Sequence, residues 1–138
     1  MKMGLDLVKI IEFPKILDER GNLSFLEESS HVPFEIKRTY WIYDVPGGEE
    51  RGGHSYFNNQ EVIIALSGSF DVILNDGQLQ TTYSLNRSYY GLYVPSGIWR
   101  QMNNFSTNSL AFIVASNDFD ENDYERDLDK FKKNGKYI

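Results

Sequence analysis

The apolar residues of this chain come in short runs cut apart by turn residues, and this limits its folds more than any other feature. Runs rich in β-branched and aromatic residues recur from residue 7 to residue 116. Glycine, proline, asparagine or aspartate interrupts each before it reaches helical length. The runs are LVKIIEF, NLSFLEE, RTYWIYDV, HSYF, EVIIALSG, SFDVILNDG, QLQTTYSL, YGLYV, IWRQM and SLAFIVAS. Phe70, Val72 and Leu74 alternate with Asp71 and Ile73, the pattern of a strand buried on one face. Ser67-Gly68-Ser69 reads as a tight turn and Asn75-Asp76-Gly77 as a hairpin. Many short strands with turns roughly every 8–12 residues predict an all-β sandwich or closed barrel.

The tail has a different period. Asp120 or Asn122 is placed to cap a helix, and Tyr124, Leu128 and Phe131 fall at i, i+4 and i+7. Lysines follow, and Gly135 is a natural stop. A helix over about 121–134 is expected to pack on a barrel spanning about 5–117; a partner-binding helix is the alternative. With 138 residues the whole chain, 1–138, is expected to be one domain.

Charge and composition narrow the function. The net charge of −6 argues against nucleic acid and anionic membrane as partners. The chain has no cysteine, which removes thiolate metal sites and cysteine nucleophiles and fits a cytoplasmic location. No apolar run is long enough to span a membrane, and the first residues lack the pattern of a secretory signal. Between Thr39 and Tyr124 there is no lysine and the arginines are Arg51, Arg87 and Arg100. These three either bind one small anion, since guanidinium groups pair with phosphate, or are ordinary surface residues.

The central segment has a fixed spacing. Gly48 is followed by five residues and His54, then Tyr56 two positions on, Glu61 after four more and Gly68 after six more. Further along come Pro95, Gly97, Arg100 and Asn104. This spacing resembles the two motifs of the cupins, small jelly-roll β-barrels whose metal site is three histidines and a glutamate. Tyr89 stands where the second motif begins with glycine. The four ligand positions here are His54, Tyr56, Glu61 and Arg100. One imidazole and one carboxylate are too few for tight metal binding, and Arg100 puts a fixed positive charge where a cation would sit. No metal or cofactor is therefore expected. The charge favours an anion or a developing oxyanion, and His54 is left as a free base near neutral pH. Strand alternation puts Tyr56 on the same face as His54.

Within the cupin frame, Arg51-Gly52-Gly53-His54 resembles the Arg-Gly-x-His segment of cofactor-free enzymes acting on nucleotide-linked 4-keto-6-deoxy sugars. Asp18-Glu19-Arg20-Gly21 resembles a turn of the 3,5-epimerases that act on such sugars. PFEIKRTYWIYDVPGGEERGGH, QEVIIALSGSFDVILNDG, SLNRSYYGLYVPSGIWRQMNNFS and DENDYERD are similar to the short dTDP-4-keto-6-deoxyglucose 3,4-ketoisomerases, the WxcM-like group. The better-known members of that family read Gly-x-His-Ala-His where this chain reads Gly53-His54-Ser55-Tyr56.

That resemblance implies a cofactor-free isomerase of dTDP-sugar synthesis for surface polysaccharide. His54 would take the C3 proton beside the C4 ketone, with an enediol or enediolate between. Tyr56 or Tyr40 would carry the second proton; Tyr43 has the opposite strand parity. Arg51 and Arg87 would hold the diphosphate, with Arg100 and Glu61 nearer the sugar and Arg20 reaching in from an exchanged strand. Trp99 either stacks on the base or is core. The implied assembly is a homodimer, possibly strand-swapped, and the implied ligand a sugar nucleotide. A 3,5-epimerase, a silent sugar-nucleotide-binding module and a ligand-free structural barrel are the alternatives.

Overall fold

The computed structural model describes residues 4–134. Its strands are β1 (Lys9–Glu12), β2 (Lys15–Ile16), β3 (Leu23–Ser24), β4 (Arg38–Tyr43), β5 (Arg51–Tyr56) and β6 (Glu61–Ser67). They continue with β7 (Phe70–Asn75), β8 (Gln80–Leu85), β9 (Tyr90–Val94), β10 (Trp99–Asn103), β11 (Leu110–Ala115) and β12 (Tyr124–Glu125), and the chain closes on helix α1 (Leu128–Asn134). One sheet has the order β1-β9-β6-β11-β4, the other β12-β5-β10-β7-β8, and β2 pairs with β3 in a separate arm. From β4 to β11 every connection but β7–β8 crosses between the sheets, which is jelly-roll topology.

Strand alternation fills the space between the sheets. Ile42, Ile63, Leu92 and Ile113 from the first sheet meet Phe70, Val72, Leu74, Leu85 and Met102 from the second. The Asn75-Asp76-Gly77 signal forms the β7–β8 hairpin, where the Asn75 carboxamide accepts from Gly77 N at 2.7 Å. The Ser67-Gly68-Ser69 turn carries the chain from one sheet to the other. Gly68 has φ +67°, and a Cβ there would lie 2.8 Å from Ser109 Cα.

A second core lies outside the first sheet. Val62, Ile64 and Val114 point away from the sandwich and are covered by Phe13, Val32 and Phe34. Residues 25–36 thus act as a flap over part of that outer face. Beyond it, Trp41 and Tyr43 stay 54% and 61% exposed, and Trp41 stacks on Phe112 with ring centres 6.3 Å apart.

The expected helix over 121–134 is corrected. Asp120 does cap, but it caps a single 3₁₀ turn at Glu121–Asp123, its side chain accepting from Asn122 N. Tyr124 then enters β12 and pairs with Tyr56, so the helix begins only at Leu128. A better competitor overrides the helical spacing. The buried Asp123 carboxylate accepts from Asn58 N at 2.7 Å and Asn59 N at 3.0 Å, which ties this segment to the end of β5. Phe131 packs on Trp99 with ring centres 5.7 Å apart, so α1 does cover the second sheet. Gly135 lies outside the described residues.

Gly91 is among the tightest approaches inside the sheets. A Cβ there would lie 2.6 Å from Val62 Cγ1 and 3.2 Å from Ile63 O. Gly91→Ala is expected to cost about 1–3 kcal/mol through overpacking. Urea unfolding would register this as a lower midpoint at unchanged slope; an unchanged midpoint would mean the neighbouring strand β6 gives way at this point.

Candidate active site

The site lies between the sheets at one end. β5 and β10 pair His54 with Arg100, and β12 sets Tyr124 opposite Tyr56. From the facing sheet, β4 offers Tyr40 and β6 offers Glu61, both on core-facing positions. The register between β5 and β10 slips between Arg100 and Met102, giving a bulge at Gly52-Gly53. Gly52 has φ +76°, and a Cβ there would meet Arg100 Nη1 at 2.6 Å. Glycine is therefore needed in Arg-Gly-Gly-His both for the backbone and to make room for the guanidinium.

Arg100 is the hub. Its Nη1 donates to Gly52 O at 2.8 Å and to His54 Nε2 at 3.0 Å, and its Nη2 donates to the Tyr40 hydroxyl at 3.1 Å. Its Nε stands 2.8 Å from Glu61 Oε1, a contact of charges in which the N–H is not aimed at the oxygen. Both side chains of this pair are almost wholly buried. Tyr40 donates to the other oxygen of Glu61. Burial is the strongest influence on Arg100 and opposes its charge, but Glu61 with the neighbouring Tyr40 and Tyr56 together outweigh it and the pKa rises further.

His54 is not the free base near neutral pH that the sequence implies. Burial first, then the charges of Arg100, Arg126 and Arg38, lower its pKa to about 2. Arginine can only donate, so Nε2 is the acceptor and the neutral ring carries its proton on Nδ1. Tyr40 and Tyr56 shift upward, chiefly through burial and secondly through Glu61, so both remain phenols. The Tyr56 hydroxyl lies 3.4 Å from that of Tyr40 and 3.5 Å from that of Tyr124. The Tyr124 ring centre is 4.8 Å from His54.

A cavity of about 370 Å³ opens onto this cluster. Arg51, Arg100 and Arg126 line it together with His54, Tyr40 and Tyr56. Glu61 is not on its surface; it sits behind Arg100 and fixes it. Three sequence candidates lie elsewhere within this chain. Arg20 is at the tip of the β2–β3 arm, paired with Asp18 at 2.8 Å. Arg87 is on the β8–β9 loop, with Nη1 donating to Asn86 O. Trp99, next to Arg100 on β10, faces the opposite side of the sheet and packs under α1. Sequence reasoning overlooked Arg38, Tyr124 and Arg126 as site residues. Arg38 has the strand parity of Tyr40, a signal in plain view, whereas Tyr124 and Arg126 were absorbed into the expected helix.

Residues 6–136 match the family model described as FdtA: WxcM-like, C-terminal. The chain belongs to this WxcM-like family. It is 42% identical over 125 residues to TDP-4-oxo-6-deoxy-alpha-D-glucose-3,4-oxoisomerase of Aneurinibacillus thermoaerophilus, covering 91% of this chain and 90% of that one. The WlaRB TDP-quinovose 3,4-ketoisomerase of Campylobacter jejuni superposes with a TM-score of 0.88 at 42% identity, over 93% of this chain and 98% of the other. QdtA, a sugar 3,4-ketoisomerase of Thermoanaerobacterium thermosaccharolyticum solved with TDP, gives 0.92 at 34% identity over 95% and 96%. A dTDP-4-dehydrorhamnose 3,5-epimerase of Bacillus anthracis is only 15% identical at a TM-score of 0.77, over 91% of this chain and 81% of its own, a likeness of fold alone.

The depressed pKa of His54 sets an acid limit on stability. An unfolded chain protonates this imidazole below its ordinary value near 6.5, and the folded protein does not. Stability from this group is therefore complete above about 6.5 and falls by about 1.4 kcal/mol per unit as pH drops below it. His54→Gln is expected to flatten that part of the pH–stability curve. In the unaltered protein, the ring-proton NMR shift of His54 stays level from pH 5 to 8; an inflection near 6.5 would refute the argument.

Proposed function

We propose that this chain is a TDP-4-keto-6-deoxyglucose 3,4-ketoisomerase, forming a TDP-3-keto-6-deoxyhexose by proton transfer. It would serve TDP-deoxysugar synthesis in the cytoplasm. The observation that carries the reading is a neutral histidine hydrogen-bonded to a buried arginine in a cavity that also exposes phenols. The names of its 42%-identical relatives support the substrate class.

The chemistry needs a base at C3, an electrophile at the C4 oxygen and a carrier for the hydroxyl protons. The C4 carbonyl oxygen takes over the Arg100 Nη1 hydrogen bond, which frees His54 Nε2 to remove the proton from C3. Breaking C3–H pushes its electron pair into C3=C4 and the carbonyl electrons onto O4. The enediolate charge forms beside Arg100, where it is stabilised, and it compensates the imidazolium formed in the same step. His54 returns its proton to C4, O3 loses its proton, O4 gains one, and the ketone now sits at C3. Tyr40, held between Arg100 Nη2 and Glu61, is placed to carry the proton from O3 to O4. Tyr56 occupies the second-histidine position as a phenol in the same chain of hydroxyls. Arg51, on the cavity wall, takes the diphosphate.

Proton NMR of the keto sugar with the purified chain in D₂O tests this directly. Conversion to a 3-keto sugar is expected, with no turnover in a folded His54→Asn variant. Tyr40→Phe should lose roughly a hundredfold or more in kcat. Exchange of deuterium with the 4-ketone retained would overturn the reading in favour of an epimerase or a stalled site.

We also infer a homodimer. The outer face of the first sheet leaves Trp41, Tyr43 and Leu66 open to solvent beside the flap, and the β2–β3 arm exposes Ile16, Leu17 and Leu23. A second copy covers both at once. If the arms are exchanged, Arg20 at the arm tip is offered to the partner's cavity. Light scattering is expected to give twice the chain mass, and Trp41→Arg to shift it to the monomer. A monomer for the unaltered chain at micromolar concentration would refute the assembly.

A further inference from the structure

A histidine that takes a proton from carbon has to be aimed, and an acceptor on its non-reacting nitrogen commonly does this. His54 has no such acceptor among the described residues. Its side chain makes one hydrogen bond there, from Arg100 Nη1 to Nε2 at 3.0 Å. In the reaction proposed above the substrate carbonyl takes that bond over, so the base acts just when its one polar tether is released.

What else touches the imidazole is aromatic. The ring centres of Tyr56 and Tyr124 each lie 4.8 Å from that of His54 and 4.7 Å from one another. Tyr56 meets the imidazole edge to face at 78°, and Tyr124 is tilted at 59° to it. The two phenol rings thus approach from different directions, and turning of the imidazole is opposed by both.

The two rings are fixed by different means. Tyr56 stands two residues from His54 on β5. Tyr124 comes from a distant segment that is fastened at both ends to the loop after β5. At one end Asn117 N donates to Asn59 Oδ1 at 3.0 Å. At the other the buried Asp123 carboxylate accepts from Asn58 N and Asn59 N, and Phe57 N donates to Asp123 O at 2.9 Å. β12 then pairs Tyr124 with Tyr56 directly.

We propose that Tyr124 is a positioning residue for the base: its ring, pressed on His54 by the Asp123 latch, keeps the imidazole aimed at C3 once Arg100 has turned to the substrate. This rests on the ketoisomerase reading above and adds to it a residue that the expected helix concealed. The aromatic ring supplies the constraint and the hydroxyl does not.

Conversion of the TDP-linked keto sugar and deuterium uptake at C3 in D₂O test this side by side. Tyr124→Leu removes the ring and is expected to lower kcat roughly hundredfold, with C3 exchange falling by the same factor and KM moving a few-fold at most. Tyr124→Phe, the conservative variant, is expected to recover the loss to within about threefold of the original. Asp123→Asn falls between the two, because a carboxamide accepts from one of the two N–H groups and opposes the other. In the ligand-free protein the His54 ring-proton NMR signal is expected to shift in Tyr124→Leu and to stay in place in Tyr124→Phe, since an aromatic neighbour shields it. Thermal unfolding checks that each variant is folded at the assay temperature; should Tyr124→Leu not fold, Tyr124→Phe and Asp123→Asn decide alone. A hundredfold loss in Tyr124→Phe overturns the proposal in favour of the hydroxyl. Unchanged kcat in folded Tyr124→Leu, or in Asp123→Asn, also overturns it, as does loss of conversion with C3 exchange intact. If the unaltered chain neither exchanges nor converts the sugar, the ketoisomerase reading fails and takes this inference with it; an active chain indifferent to Tyr124 sinks this inference alone.

Discussion

The buried pair of Arg100 and Glu61 is the interaction on which the site depends. It joins β10 of one sheet to β6 of the other across the sandwich. Such a pair gains little net stability, because two charges leave water to form it, but loss of either partner strands the other at a cost of about 3–5 kcal/mol. Its value here is positional. With Nε facing Glu61, the two terminal nitrogens of Arg100 are left to hold Gly52, His54 and Tyr40. The bulge at Gly52-Gly53, the tautomer of His54 and the tilt of the Tyr40 hydroxyl are all consequences of where one guanidinium sits.

Much of the fold was legible because it rests on local signals. Alternation in Phe70–Asn75, the Asn-Asp-Gly hairpin and the regular turns specify short strands, and these strands fold as two packed sheets with jelly-roll connections rather than as one closed barrel. The C-terminal segment was misread because two signals competed. Tyr124, Leu128 and Phe131 do fit one helical stripe, yet Asp123 has better partners in the backbone of β5 than a helix offers. That contact joins residues far apart in the chain, so no window of the sequence contains it. The flap of residues 25–36 was invisible for a similar reason. Phe34 and Val32 look like strand residues, but they bury against the outer face of a sheet formed much later in the chain.

Within the site, spacing located His54, Tyr56, Glu61 and Arg100 because each occupies a register position in a paired strand. Spacing did not sort the arginines and aromatics around them. Trp99 and Arg100 are neighbours in sequence and on opposite faces of β10, so alternation alone sends only one of them to the cavity. Arg51 and Arg87 look equivalent as central cations, and only the folded chain separates a cavity wall from a distant loop. The pKa of His54 was the least legible quantity. It depends on burial and on three guanidinium charges drawn from β4, β10 and the segment after β12.

Those charges carry a consequence for how such a site selects its ligand. A histidine crowded by cations is a poor base in the empty cavity, since protonating it adds one more positive charge to a place that already has several. An anionic ligand reverses that balance. In the proposed reaction its phosphate charge would offset the guanidinium groups around the cavity, and a developing enediolate would offset Arg100, so the imidazolium would form only while both are present. Neutral sugars that fit the cavity would not switch the base on. In a frame whose usual centre is a cation held by histidines, replacing one ligand position by arginine thus does more than remove a metal site. It ties the basicity of the remaining histidine to the charge of whatever is bound.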